Sequence, residues 1–225
     1  MIDLHTHTLF SDGVLVPSEH VRRAITYGYR AIAMTDHADF TNYEYIITSL
    51  LKAKTIEEEW EIDIFAGIEI THVPPGQIDR LAKKAKEIGA DIVVVHGETS
   101  VEPVAPGTNR AAIESEYVDI LAHPGFLTAE DVELAKMTNT YLEITARCGH
   151  NRTNGHVARL ATQIGAKLVC NTDTHRPGDM ITKETAYKVL MGAGLLKEEA
   201  DQAFQNSEEL VQKMKKRAKD INMKK

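Results

Sequence analysis

The chain has 225 residues, with 26 Lys and Arg against 33 Asp and Glu and a formal net charge of −7. This length suits one domain and allows two small ones at most. The shares of apolar residues (43%) and charged residues (26%) exclude a disordered, collagen-like or disulfide-rich chain. The acidic balance argues against a general nucleic-acid or anionic-membrane binder, because such a protein presents a basic face.

The sequence favours an intracellular, membrane-free protein. No window approaches 18 uninterrupted apolar residues, and the first residues lack the charged and apolar regions of a signal peptide. Cys148 and Cys170 form no CxxC pair and are expected to be reduced thiols. We therefore expect a cytoplasmic protein, and the sequence leaves its oligomeric state open.

Short apolar, β-branched runs alternate with amphipathic segments along the chain. Strands that alternate with helices indicate parallel βαβ units, and seven such units favour a barrel over an open sheet, although periodicity alone does not decide closure. The predicted strands cover residues 2–4, 31–34, 64–70, 92–95, 120–122, 141–144 and 167–170. The predicted helices begin at Ser18 and Thr128 and cover residues 77–88 and 156–164.

The chain is predicted to form a single domain over residues 1–225, with a barrel over 1–196 and a helical tail over 197–225. Within the tail, Leu210, Val211 and Met214 are expected to pack against the barrel. The basic run from Lys213 to Arg217 is typical of the solvated last turn of a terminal helix, where cations suit the helix dipole.

Histidines and carboxylates gather at the ends of the predicted strands, where a parallel barrel collects its functional residues. Histidine makes up 10 of 225 residues, so three-residue windows at seven strand ends should hold roughly one, yet at least six are there. Alternate residues of a strand share a face, so His5 and His7 can enter one pocket, as can Asp173 and His175. Imidazoles and carboxylates gathered in this way are ligands of Zn²⁺, Mn²⁺ or Fe. Either pair alone is more often structural, but their convergence on one barrel mouth favours a metal cluster.

The strand ends carry a set of motifs in a fixed order. They are Asp3-Leu4-His5-Thr6-His7-Thr8 with Ser11-Asp12-Gly13, Thr35-Asp36-His37, Gly67-Ile68-Glu69, His96, Ala122-His123-Pro124-Gly125 and Asp173-Thr174-His175. This set resembles the PHP family (polymerase and histidinol phosphatase), and the resemblance spans nearly the whole barrel. It implies an α/β fold, a distorted (β/α)7 barrel similar to a TIM barrel, which hydrolyses phosphate esters with two or three divalent ions at the C-terminal ends of the strands.

The resemblance also implies the ligands of these ions, with Glu69 bridging two of them. Paired ions share a water and lower its pKa towards about 7, so that hydroxide forms at neutral pH. Glu69 and Asp173 are the candidate catalytic residues. The ligands are His5, His7, Glu69 and Asp173 for one ion, Glu69, His96 and His123 for a second, and Asp12, His37 and His175 for a third.

Two arginines are candidate substrate contacts. Arg147 follows the sixth predicted strand and Arg176 adjoins His175, and a guanidinium suits a phosphate clamp. Asp36 is expected to face away from the site. Glu98 and His150 are either substrate contacts or loop residues, and His72 is expected to be a loop residue. His20 and His156 are expected to lie on helix surfaces.

The favoured function is hydrolysis of a small phosphomonoester, with L-histidinol phosphate as the best single guess. The alternative is a phosphodiesterase or 3′–5′ exonuclease that acts on nucleotides or short oligonucleotides. The net charge and the 6% of aromatic residues, which leave few stacking platforms, argue against it. A third hypothesis, a structural metal-binding module that serves a polymerase, is disfavoured by the complete ligand set. The expected partner is a small phosphorylated substrate; no membrane is expected, and nucleic acid is left open.

Overall fold

The computed structural model describes residues 1–222 and shows a nearly closed barrel of parallel strands. The strands pair in the order β1-β2-β4-β5-β6-β7-β8, and the short β3 pairs with β4. All seven predicted strands are confirmed, whereas the two-residue β3 is too short to leave a sequence pattern. The strands are β1 (Ile2–Asp3), β2 (Ala31–Met34), β3 (His37–Ala38), β4 (Asp63–Ile70), β5 (Ile92–His96), β6 (Ile120–Ala122), β7 (Tyr141–Thr145) and β8 (Leu168–Asn171).

Helices follow the strands and cover the outside of the barrel. Local sequence sets several boundaries: Thr128 and Asp131 form a reciprocal capping box before α6, and Gly165 adopts a left-handed conformation after α7. Within residues 1–222, no helix combines the length and apolarity that a membrane crossing requires. The helices are α1 (Pro17–Thr26), α2 (Tyr43–Ala53), α3 (Glu57–Trp60), α4 (Ile78–Glu87), α5 (Thr108–Glu114), α6 (Ala129–Thr138), α7 (Asn154–Ile164), α8 (Lys183–Gly192) and α9 (Lys197–Asn222).

The strands are buried on both faces, which explains their continuous apolar runs. In β5, for example, Val93 belongs to the core between strands and helices, whereas Ile92 and Val94 belong to the core inside the barrel. The helix α9 completes this inner core from below, because Leu210 and Met214 pack into the same cluster. The predicted contact between tail and barrel is therefore confirmed.

The basic run on α9 is not a solvated last turn, so that prediction is wrong. The helix continues to Asn222, and two cations of the run reach the buried Asp119: Arg217 Nη1 lies 2.8 Å and Lys213 Nζ 3.8 Å from its Oδ1. Burial alone would raise the pKa of Asp119, but Lys86 and Arg217 lower it. The run thus fastens α9 across the N-terminal end of the barrel.

The barrel closes loosely between its first and last strands. In the described chain, β1 and β8 form no continuous ladder and meet beyond their ends through one isolated bridge, Thr6 to Thr174. A side chain replaces part of the missing ladder, because the Leu4 backbone N–H donates to Asn171 Oδ1 at 2.9 Å. This loosely closed seam agrees with the distorted (β/α)7 barrel that the family resemblance implies.

The prediction that His20 lies on a helix surface is wrong. His20 is fully buried on α1, on the same face as the buried Ala24, which follows it by four positions. Neither ring nitrogen has a hydrogen-bond partner among the described residues. His156 is half-buried, and its Nε2 donates to the Leu127 carbonyl at 2.8 Å.

Candidate metal centre

The structure brings the nine predicted ligands together at the C-terminal mouth of the barrel. Parallel pairing places His37 of β3 directly beside Glu69 of β4. Seven of the nine residues are buried, while His37 is half-buried and Asp12 exposes 57% of its side chain at the rim. The others follow or end their strands: His5 and His7 after β1, His96 in β5, His123 after β6, and Asp173 and His175 after β8.

These side chains form four overlapping groups, and within each group the ligand atoms lie within 4.8 Å of one another. The grouping agrees in part with the ligand sets that the resemblance implies. It differs in that His7 also joins the set predicted for the third ion, and that Asp173 is grouped with His5 and His123. The groups are His7, Asp12, His37 and His175; His5, His123 and Asp173; His5, His7 and Glu69; and Glu69, His96 and His123.

The distances fit divalent metal ions. Two ligand atoms bound tetrahedrally at about 2.0–2.1 Å from one ion stand about 3.3 Å apart. His5 Nε2 lies 3.3 Å from Glu69 Oε1, and His175 Nε2 lies 3.1 Å from Asp12 Oδ1. Both carboxylate oxygens of Glu69 and Oδ1 of Asp173 are buried without a hydrogen-bond partner in the described chain. Buried carboxylate oxygens are costly unless they are compensated, and bound cations compensate them.

The protonation states of Glu69 and His7 favour metal binding, whereas for His5, His37 and His96 the nearby carboxylates outweigh the effect of burial and raise the pKa. Burial alone would raise the pKa of Glu69, but His5, His37 and His96 hold it well below its usual value, so the group is a carboxylate. Burial and the neighbouring His37 lower the pKa of His7 well below its usual value. A neutral imidazole and an ionised carboxylate are the forms that bind metal.

Glu143 of β7 holds two predicted ligands, His5 and His123, in position through hydrogen bonds. Its Oε1 accepts a hydrogen bond from His5 Nδ1 at 2.8 Å, and its Oε2 accepts one from the His123 backbone N–H at 3.1 Å. This fixes the His5 ring with Nε2 towards the other ligands, which is how carboxylates orient metal-binding histidines. The sequence placed Glu143 at a strand end but gave it no role.

Asp36 shapes the loop that carries Asp12. Although it adjoins His37, its carboxylate faces the β1 loop and accepts hydrogen bonds from the backbone N–H groups of Thr8 and Ser11 at 2.8 and 3.0 Å. Gly13 completes the loop, because a Cβ there would lie 2.5 Å from the His7 carbonyl oxygen.

Two ligands sit on strained backbone. His123 has φ 27° and Asp173 has φ 55°, in the left-handed region that residues with a Cβ adopt rarely. Such conformations persist where the surrounding structure enforces them, and they concentrate at functional sites.

Six of the nine predicted ligands, all except His5, His7 and Glu69, line a cavity of about 60 Å³, whose wall also includes Arg147, Glu102 and His150. Arg147 Nη1 donates to Asp179 Oδ2 at 3.1 Å, which holds the guanidinium beside the ligands. Arg176 is exposed and lines an adjacent cavity of about 440 Å³ that shares Arg147. A further cavity of about 400 Å³ lies between α4 and α9 and contains none of the nine ligands.

The loop between β5 and α5 holds one predicted and one missed residue. Glu98 acts within the loop, since its Oε1 accepts hydrogen bonds from the backbone N–H groups of Gly107 and Asn109 at 3.0 and 2.9 Å. Glu102 was not singled out from the sequence, yet its Oε2 lies 3.2 Å from His96 Nε2. No motif or periodicity marks it.

A barrel mouth that gathers nine histidines and carboxylates in this way is typical of metal-dependent hydrolases. The chain belongs to the PHP domain family, whose model matches residues 3–213. It is 54% identical over 201 residues to an uncharacterized protein of Methanocaldococcus jannaschii, a match that covers 88% of this chain and 92% of that protein. It is 28% identical over 214 residues to a probable phosphatase of Thermoanaerobacter sp., with 87% of each chain covered. These findings place the protein among metal-dependent phosphatases and hydrolases.

Other matches extend over different lengths. A DNA polymerase/3′-5′ exonuclease PolX of Bacillus subtilis is 29% identical over 195 residues, which cover 77% of this chain but only 34% of the polymerase. Two solved structures share the fold at 16% sequence identity. One is an archaeal ribonuclease P with mature tRNA (TM-score 0.70; 95% of this chain, 91% of that chain). The other is the histidinol phosphate phosphatase of Lactococcus lactis with zinc, L-histidinol and phosphate (TM-score 0.59; 87% and 94%).

Proposed function

We propose that this protein is a metal-dependent phosphomonoesterase with a trinuclear site, and that L-histidinol phosphate, an intermediate of histidine biosynthesis, is its best candidate substrate. The observation that carries the proposal is the set of buried oxygens on Glu69 and Asp173 that have no hydrogen-bond partner within residues 1–222 and lie among six histidine rings. Such a centre requires cations, and the cations in turn attract a phosphate dianion. The probable phosphatase relative supports a phosphatase, and the zinc-containing histidinol phosphate phosphatase supports the fold.

The nine predicted ligands would hold divalent ions, which when bound would supply a water of lowered pKa and offset the charge of the phosphate. The side chains of this protein supply position and surroundings. Glu69 belongs to two of the ligand groups, so it would hold an ion in either group or in both. Glu143 and the buried barrel wall hold the His5 ring in one orientation, which avoids reorganisation when a substrate binds.

The two arginines would contact different parts of the substrate. Arg147 lines the ligand cavity and is placed to bind the non-bridging phosphate oxygens through N–H groups that Asp179 does not occupy. Arg176 lines only the adjacent cavity, so it would contact the group that is esterified to the phosphate. Loss of Arg147 should therefore affect every phosphomonoester, whereas loss of Arg176 should affect some more than others.

Phosphodiester cleavage is the second candidate function, because the PolX relative carries a 3′-5′ exonuclease name over a region that matches this chain. The ribonuclease P fold match similarly leaves nucleic acid open as a partner. The small ligand cavity, about 60 Å³, and the net charge of −7 favour a compact monoester over an oligonucleotide.

A substrate panel tests these alternatives directly. The protein, loaded with Mn²⁺ or Zn²⁺, is assayed on several phosphomonoesters including L-histidinol phosphate, on bis-p-nitrophenyl phosphate and on a short single strand. We expect the highest kcat/KM on a monoester and no turnover by a Glu69→Gln control purified in parallel, which excludes a contaminating phosphatase. A higher kcat/KM on a diester than on every monoester would replace the phosphatase proposal with the nuclease alternative.

A further inference from the structure

Glu102 meets three histidine rings at the mouth of the site. Its Oε2 lies 3.2 Å from His96 Nε2 and 3.5 Å from His72 Nε2, and its Oε1 lies 3.4 Å from His150 Nε2. The loop between β5 and α5 carries Glu102, and 39% of its side chain is exposed. The carboxylate therefore reaches the ligand groups from the solvent side, opposite the fully buried Glu69.

The neighbouring ligand group is one donor short of a complete tetrahedral set. Glu69, His96 and His123 supply three ligand atoms, whereas the group around Asp12 supplies four. A fourth ligand should stand about 3.3 Å from the others when all bind one ion. The 3.2 Å between Glu102 Oε2 and His96 Nε2 agrees with this separation for one of the three ligands, although Glu102 is not in the group whose ligand atoms all lie within 4.8 Å of one another.

We infer that Glu102 is a displaceable fourth ligand of the ion held by Glu69, His96 and His123, an inference that rests on the proposed metal centre. A phosphate oxygen of the substrate would take over the same position. Glu102 can yield it because its side chain is partly exposed on a loop. The His150 ring stays in place, since Thr99 Oγ1 pairs with its Nδ1 at 2.8 Å, and it offers Nε2 to the displaced carboxylate.

A rival explanation makes the opposite prediction for metal affinity. Glu102 could instead pair only with protonated histidines in the metal-free protein. It would then stabilise the protonated, metal-free form, which competes with metal binding. Its removal would then leave zinc affinity unchanged or increase it. If Glu102 is a ligand, its removal weakens zinc binding.

The test compares the full-length protein with Glu102→Gln and with Glu116→Gln, which alters the charge equally at an exposed position away from the site. Zinc dissociation constants are measured by competition with a chromophoric chelator at pH 8. We expect the weakest-bound zinc of Glu102→Gln to dissociate about tenfold more readily or more, a loss at least as large as that of an outer-shell partner. The Glu116→Gln protein should match the wild type, as should the circular dichroism and thermal midpoints of both metal-free variants.

The second readout is binding of inorganic phosphate to protein saturated with zinc. Phosphate should bind Glu102→Gln more tightly than the wild type, because it no longer has to displace the Glu102 carboxylate from the fourth coordination position. Unchanged or tighter zinc binding by Glu102→Gln would overturn the inference and leave the proposed function intact. If Glu102→Gln binds zinc more weakly but does not bind phosphate more tightly, Glu102 is a ligand that the substrate does not displace, and that part of the inference is overturned. Fewer than two zinc ions on the wild type would instead overturn the proposed metal centre, and the inference with it.

Discussion

Replacing His20 with leucine should stabilise the protein and remove part of its acid sensitivity. His20 is fully buried on α1, and both ring nitrogens lack partners within residues 1–222. A buried polar group without a partner costs about 1–3 kcal/mol. Leucine has a similar volume and no polar atom, so His20→Leu should raise the free energy of unfolding at pH 7 by an amount of that order.

The pH dependence follows from the depressed pKa of this histidine. Burial lowers the pKa of His20 from 6.5 to about 4 in the folded protein. As the pH falls below 6.5, the unfolded chain takes up a proton at this position while the folded protein does not. Stability is therefore lost between pH 6.5 and 4, and the loss at pH 5 relative to pH 7 is about 2 kcal/mol.

Urea denaturation of the metal-free protein at pH 7 and pH 5 measures both effects. The advantage of His20→Leu over the wild type should be about 2 kcal/mol larger at pH 5 than at pH 7. His156→Leu is the matched control, because His156 is half-buried and hydrogen-bonded to Leu127. The same advantage at both pH values would refute the reasoning.

Four further predictions concern the metal centre. Elemental analysis should find two or three transition-metal ions per chain, and less than one after metal-replete growth would contradict the ligand assignment. Glu69→Ala should lower kcat/KM by about 10³-fold or more, a larger loss than that of His175→Ala; retention of a tenth of the activity at saturating metal would show that Glu69 does not join two ions. Arg147→Ala should reduce monoester turnover by roughly 10–10³-fold, more than Arg176→Ala, with metal content unchanged by elemental analysis. Glu143→Gln should weaken metal affinity by about 10–100-fold in chelator competition, because His5 loses its orienting carboxylate; unchanged affinity would argue against that role.

The sequence predicted those parts of the structure that depend on local pattern. The seven strands have apolar runs of their own, and the pairs His5 with His7 and Asp173 with His175 follow from the two-residue repeat of extended chain. The convergence of the strand ends then follows from the parallel arrangement alone. The structure brings all nine predicted ligands together for this reason.

The parts that were missed depend on contacts between distant segments. Glu143 has its role because His5, 138 positions away, presents Nδ1 to it. Glu102 lies on an irregular loop, where no repeat indicates which side chain turns inward. His20 was assigned to the surface because a polar residue on an amphipathic helix is usually solvated, and only the packing of α1 shows otherwise.

The seam between β1 and β8 determines when the site can exist. His5 and His7 leave the ribosome well before Asp173 and His175, which emerge only after the last barrel strand. During most of synthesis the early histidines therefore lack the carboxylate that they meet across the seam. The complete centre can capture its metal only as a late event in folding, after the two ends of the barrel have joined. A nascent chain that stops short of residue 173 carries most of the sheet and seven of the nine predicted ligands, but it lacks Asp173 and His175.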